Sequence, residues 1–71
     1  MDIKTNAVES SNIARIGYHE ASETLRIEFI NGSVWDYRDV PPEVYEKLMA
    51  AESKGKAFNK IVRGLYSGSQ Q

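Results

Sequence analysis

The chain has 71 residues, with nine Lys+Arg against ten Asp+Glu and no Cys. Apolar residues make up 41% and charged residues 27%, which excludes collagen-like, mucin-like and highly charged disordered chains. The missing Cys excludes disulfides and thiolate zinc sites, and the longest purely apolar runs, such as Leu48-Met49-Ala50-Ala51, are only four residues, too short for a membrane span of about 20 or a signal-peptide core of about 7–15.

Residues 1–9 lack a period and read as a flexible leader. A first strand spans about 10–19, because Ala14, Ile16 and Tyr18 alternate with Arg15, Gly17 and His19. A four-residue turn at Glu20-Ala21-Ser22-Glu23 leads into a second strand over about 24–30. There Leu25, Ile27 and Phe29 alternate with Arg26 and Glu28. This turn sets Tyr18 opposite Leu25, Ile16 opposite Ile27 and Arg15 opposite Glu28.

The Asn31-Gly32 turn allows two registers. A two-residue type I′ loop places Phe29 opposite Val34 and turns Trp35 and Tyr37 onto the charged face. A three-residue loop, Ile30-Asn31-Gly32, with Gly32 left-handed at a bulge, places Ile27 opposite Trp35, Leu25 opposite Tyr37 and Arg26 opposite Asp36. A one-residue slip moves a whole side-chain set to the other face, so burial favours the three-residue loop. The third strand then spans about 33–39.

Val40-Pro41-Pro42-Glu43 ends the sheet. Pro42 suits the first turn of a helix, where a missing N–H costs no hydrogen bond. Glu43 complements the helix dipole, and Val40 and Tyr45 have the spacing of a hydrophobic staple. A helix over about 42–52 follows, with Val44, Leu48 and Ala51 on one stripe. Ser53 is a candidate N-cap for a second helix over about 54–63, with Phe58, Ile61, Val62 and Leu65 on its buried stripe. Residues 67–71 read as a flexible tail. The expected fold is α+β: a three-stranded antiparallel meander covered on one face by two C-terminal helices, a single domain over 10–66. The expected core comprises Ile13, Ile16, Tyr18, Leu25, Ile27, Phe29, Trp35, Tyr37, Val44, Leu48, Phe58, Ile61, Val62 and Leu65.

Catalytic chemistry is poorly supported. His19 is the only histidine, it sits at a turn beside Glu20 and Glu23, and no nucleophile-elbow or phosphate-loop pattern occurs. Neither a catalytic residue nor a metal or cofactor site is expected. Charge is more informative. Residues 1–46 carry four Lys/Arg against nine Asp/Glu, whereas residues 47–71 carry five against one. Lys56, Lys60 and Arg63 follow i, i+4, i+7 spacing, and Tyr66 lies near the helix exit. With Lys54 they form a candidate phosphate-contacting stripe; the competing reading is a solvated helix face. Trp35 and Tyr37 could stack nucleobases if they faced solvent, but the favoured register turns them inward, with the Tyr37 hydroxyl near the core edge.

The succession Ser10-Ser11-Asn12-Ile13, Ile16-Gly17-Tyr18, Gly32-Ser33-Val34-Trp35-Asp36-Tyr37, Val40-Pro41-Pro42 and Ser53-Lys54-Gly55-Lys56-Ala57-Phe58-Asn59 resembles the KTSC domain family. That family occurs at the C-terminus of some lysyl-tRNA synthetases and as short stand-alone bacterial proteins. The resemblance spans about Val8–Tyr66. The family's central Tyr-x-Tyr motif reads Trp35-Asp36-Tyr37 here, so a flat ring is kept and the first phenol is not. The resemblance implies a meander followed by helices, and RNA binding has been proposed for the family on the strength of the synthetase link. The expected function is therefore a non-catalytic binding module, taking tRNA or single-stranded RNA through Lys54, Lys56, Lys60, Arg63, Tyr37 and Tyr66. The alternative is a protein-interaction module using the polar sheet face of Arg15, Arg26, Glu28, Asp36 and Arg38 or an unpaired edge strand. A cytoplasmic monomer without membrane association is expected.

Overall fold

The structure, a computed structural model, describes residues 3–71. In chain order it forms β1 (Thr5–Ala7), β2 (Ile13–His19), β3 (Thr24–Phe29), β4 (Val34–Tyr37), α1 (Pro42–Ala50), α2 (Lys54–Ile61) and β5 (Gly68–Gln70). The fold is α+β, with the strands in a single antiparallel sheet of spatial order β1-β2-β3-β4-β5.

The three central strands follow the alternation of their residues. Tyr18 pairs with Leu25, Ile16 with Ile27 and Arg15 with Glu28. A 3-10 turn over Glu20–Ser22 joins β2 to β3, closed by Glu23 in a left-handed conformation at φ 51°. At the second turn, Ile27 pairs with Trp35, Leu25 with Tyr37 and Arg26 with Asp36, which is the three-residue register. The Phe29 amide donates to Ser33 O at 2.8 Å and the Gly32 amide to Phe29 O at 3.0 Å. Gly32 has φ 94°, a conformation that costs glycine little and other residues more. Burial thus prevails over the two-residue preference of Asn-Gly: the other register would turn three core side chains of β3 or the aromatics of β4 out to water.

Among the described residues the sheet has five strands rather than three. The leader supplies β1, which pairs Thr5 with Gly17 and Ala7 with Arg15, and its Ile3 is buried. The tail does not fray. It returns along β4 as β5, pairing Gly68 with Tyr37 and Gln70 with Trp35, with further bonds from the Arg38 amide to Ser67 O and from the Gln71 amide to Val34 O. Both segments are polar and short, so neither carries an alternating apolar pattern. They are held by the unpaired backbone groups of β2 and β4, a driving force that side-chain periodicity does not display.

The helices cap as their sequences dictate. Pro42 opens α1 directly after the Pro41 cap. The Ser53 side chain accepts from the Lys56 amide at the start of α2. One core fills the space between sheet and helices: Ile13, Ile16, Leu25, Ile27, Tyr37, Val40, Leu48, Phe58 and Val62. Tyr18, Phe29, Trp35, Val44 and Ile61 are half-buried against it. Leu65 was expected in this core but is 67% exposed. The helix stops at Ile61 and Gly64 turns at φ 82°, so helical spacing no longer governs where residue 65 points. Among the described residues no helix is long and apolar enough to cross a membrane.

Candidate functional site

The sheet's inner face is not covered evenly. Near β4 and β5, the sheet and α2 diverge around a cleft of about 410 Å³, within the ~300–1,000 Å³ typical of small-ligand sites. It is lined by Phe29, Trp35, Tyr37 and Phe58, by the amides of Asn12, Asn31 and Asn59, and by Ser33, Arg63 and Gly68. Among the described residues no carboxylate lines it.

The aromatics form a connected set. The Trp35 and Tyr37 rings lie with centroids 6.4 Å apart and planes inclined by 23°. Tyr37 meets Phe58 edge to face at 5.4 Å, and Phe58 meets Phe29 the same way at 5.6 Å. Tyr37 and Phe58 are buried and belong to the core. Trp35 and Phe29 are half-buried, so their rings serve both core and cleft. The register turns the indole inward as expected, and the divergence of α2 leaves part of it accessible.

Two of the cleft's amides are fixed by their own loops. Asn31 Oδ1 accepts from the Ser33 amide at 2.9 Å and from Ser33 Oγ at 2.7 Å. Asn12 Oδ1 accepts from Ser10 Oγ at 3.0 Å, and Ser10 Oγ in turn accepts from the Asn12 and Ile13 amides. This loop presses on the start of α2: a Cβ on Gly55 would stand 2.4 Å from Asn12 Oδ1, so only glycine lets the loop approach the helix so closely. In both residues the oxygen accepts a bond from its own loop.

The structure separates the expected cations. Lys54 Nζ donates to Ala51 O and holds the C-terminal carbonyl end of α1. Lys56 and Lys60 are exposed on α2, about 60° and 100° round the axis from Asn59. Arg63 follows the end of the helix, where its amide donates to Phe58 O, and its side chain lines the cleft with Tyr37. Tyr66 packs half-buried against the core and bridges to Arg63 through the backbone, outside the cleft lining. Of the six candidate residues, Tyr37 and Arg63 therefore meet in one site, whereas Lys56 and Lys60 lie about 160° round α2 from Phe58, on the side turned away from the cleft. The asparagines, which the sequence places in the first strand, the Asn31-Gly32 turn and the second helix, complete the site.

Electrostatically the domain has two ends. Burial pushes the Tyr37 phenol above its ordinary pKa, against the opposing pull of the Arg63 guanidinium. Burial also raises the Tyr18 phenol, with Glu23, Glu20 and Glu43 adding to the effect. Tyr18 donates to Val40 O at 2.6 Å and stacks on Tyr45 at 4.8 Å. His19 sits at this acidic end, where its Nδ1 accepts from the Ser22 amide and caps the turn. Among the described residues no three His, Asp or Glu side chains gather as a metal set.

On the outer sheet face the charges are engaged with one another. Arg26 grips Asp36 through two bonds of 2.7 and 2.9 Å. Thr5 links Arg15 to Glu28, accepting from Arg15 Nε and donating to Glu28 Oε2. Arg38 reaches Ser69 at 3.4 Å.

Comparison with known proteins places the site in a family context. A family model described as KTSC domain matches residues 9–66. A lysine–tRNA ligase from Nostoc punctiforme is 45% identical over 62 residues, which is 87% of this chain and 11% of that protein. The chain thus spans about a ninth of that ligase's length. A protein from Tsukamurella paurometabola is 46% identical over 56 residues, covering 79% of this chain and 84% of that one. A crystal structure of a KTSC domain protein from Yersinia pestis superposes with a TM-score of 0.92 at 30% identity, over 99% of each chain.

Proposed function

The chain belongs to the KTSC domain family, and from that premise we propose that it is a non-catalytic module that binds single-stranded RNA in the cleft between β4 and α2. The observation that carries this reading is the cleft's composition. An accessible indole supplies a stacking surface, Arg63 supplies a guanidinium at its edge, and among the described residues no carboxylate lines it to repel a phosphate. A base stacked on an aromatic ring contributes about 1–3 kcal/mol and needs no particular sequence. Lys56 and Lys60, exposed on the far side of α2, add long-range attraction for a polyanion rather than contacts inside the cleft. Kinship with lysine–tRNA ligases supports the same class of partner.

The chain's single tryptophan makes the test direct. Titration of the isotopically labelled 71-residue protein with tRNA or single-stranded RNA at low salt is expected to shift the Trp35 indole N–H and the amides of residues 56–63. Trp35→Tyr, which retains a flat ring, is expected to bind. Trp35→Ala is expected to lose at least about fivefold in affinity, the lower end of one stacking contact. Absence of any shift at low salt, or shifts confined to Arg15, Arg26 and Arg38 on the outer face, would refute the proposal. The second pattern would favour the protein-interaction reading.

A further inference from the structure

Resting on that reading, we infer that the unit this site takes is a dinucleotide, with one base on Trp35 and the next seated against Ile30 at the tip of the β3–β4 turn. Among the described residues only Ile30 and Leu65 are large apolar side chains left exposed, Ile30 at 59%. A lone exposed apolar residue is ordinary, but Ile30 is set apart by its place. It lines a second, open hollow of about 440 Å³ together with Ser11, Asn12, Phe29 and Asn31. Asn12, Phe29 and Asn31 also line the aromatic cleft, so the two hollows adjoin along these three residues.

Neither the turn nor the core accounts for an isoleucine here. The turn is held by backbone bonds from the Phe29 and Gly32 amides, and the Ile30 amide donates to Asn12 O at 2.9 Å. Turn positions favour small or polar residues, and the core is filled without Ile30. The bond from Ile30 to Asn12 ties the two loops together and so fixes the walls of the second hollow.

Length sets the number of nucleotides. Ser33, Trp35 and Tyr37 line the cleft along one face of β4, a span of about 13 Å at ~3.3 Å per residue. Arg63 stands at the Tyr37 end, where its guanidinium opposes the rise of the phenol pKa. Ile30 follows Phe29, which bonds Ser33 at the other end. Neighbouring bases in a strand stack only ~3.4 Å apart, so one nucleotide, with its base on Trp35 and its phosphate at Arg63, leaves the Ile30 end uncovered. The next nucleotide covers it. An aliphatic side chain accepts a base face because the contact removes both from water, and every base has such a face.

The experiment compares three molecules by the shift of the Trp35 indole N–H at one low salt concentration. They are uridine monophosphate, the dinucleotide pUpU, and the same dinucleotide with an abasic ribose in place of its second uridine. The last two carry equal charge, so their difference isolates the second base. Intact pUpU is expected to bind about fivefold more tightly than the abasic form, as covering the exposed half of an isoleucine side chain gives. It is also expected to shift the Ile30 methyl signals, which uridine monophosphate and the abasic form leave in place. Ile30→Ser is expected to bring the ratio of the two dinucleotide affinities close to unity, and Ile30→Phe to keep or raise it. Equal affinities in the unaltered protein, or a ratio untouched by Ile30→Ser, overturn the second seat and leave the RNA reading standing. No shift with any of the three molecules overturns the inference, and no shift with long oligouridylate overturns the RNA reading with it.

Discussion

Gly68→Ala tests the element that closes the cleft. Gly68 stands opposite Tyr37 across β4 and β5. A Cβ there would lie 2.5, 2.9 and 3.0 Å from Cε1, Cδ1 and Cζ of the Tyr37 ring, where ordinary contact begins near 3.4 Å. Something must therefore move by close to 1 Å. The ring has little room, because Trp35 lies beside it and Phe58 meets it edge on. The relief must come from β5, an edge strand held by three register pairs and two flanking backbone bonds.

Overpacking of this kind costs about 1–3 kcal/mol. A domain of this size holds only about 4–11 kcal/mol in total, and each kcal/mol lowers Tm by about 4–8 °C. Gly68→Ala is expected to lower Tm by at least about 4 °C and to remove hydrogen-exchange protection from the β4–β5 amides, while β2–β3 amides stay protected. Thermal melting by circular dichroism and native-state exchange measure the two effects. A variant with unchanged Tm and full protection of the Gln71 amide, which bonds Val34 O at 2.7 Å, would show that the ring does not lie over Gly68 and that the cleft wall is wrongly placed.

Two further outcomes follow from the same contacts. Tyr18 and Tyr37 both have phenol pKa values raised above 10.0, chiefly by burial. Because folding raises these values, the stability they contribute is complete below pH 10 and is lost as pH climbs through the folded values. Urea melts are therefore expected to be insensitive to these two groups near neutrality and to weaken in alkali, and Tyr37→Phe should flatten part of that alkaline loss; an unchanged profile would contradict the burial of the phenol. The cations should also divide by role: Arg63→Ala, at the cleft, is expected to reduce the salt slope of RNA binding by about 0.7, the value for one phosphate contact on a single strand. Lys54→Met should leave that slope intact and instead cost about 1 kcal/mol of stability, since its ammonium bonds the Ala51 carbonyl.

How much of this was legible in the sequence depends on the force that placed each residue. Side-chain burial writes a period into the chain, so the three central strands, both turns and both helix starts could be read from Leu25-x-Ile27-x-Phe29, Gly32, Pro42 and Ser53. Backbone pairing writes no such period. Thr5–Ala7 and Gly68–Gln70 are strands because β2 and β4 would otherwise expose unpaired amides and carbonyls, and any short polar segment in reach can satisfy them. The same limit explains Leu65: it continues the apolar spacing of α2, but the helix ends before it.

The cleft illustrates a further distinction. Its aromatic half was visible as Trp35-x-Tyr37, and reading that pair as either core or ligand surface posed a choice that the structure dissolves, since a half-buried indole does both. Its polar half was visible only as turn chemistry. Asn12 and Asn31 have the residue type that loops require, because a side-chain oxygen can hold nearby backbone amides and hydroxyls. That local role consumes one end of each amide and leaves the other directed by the fold.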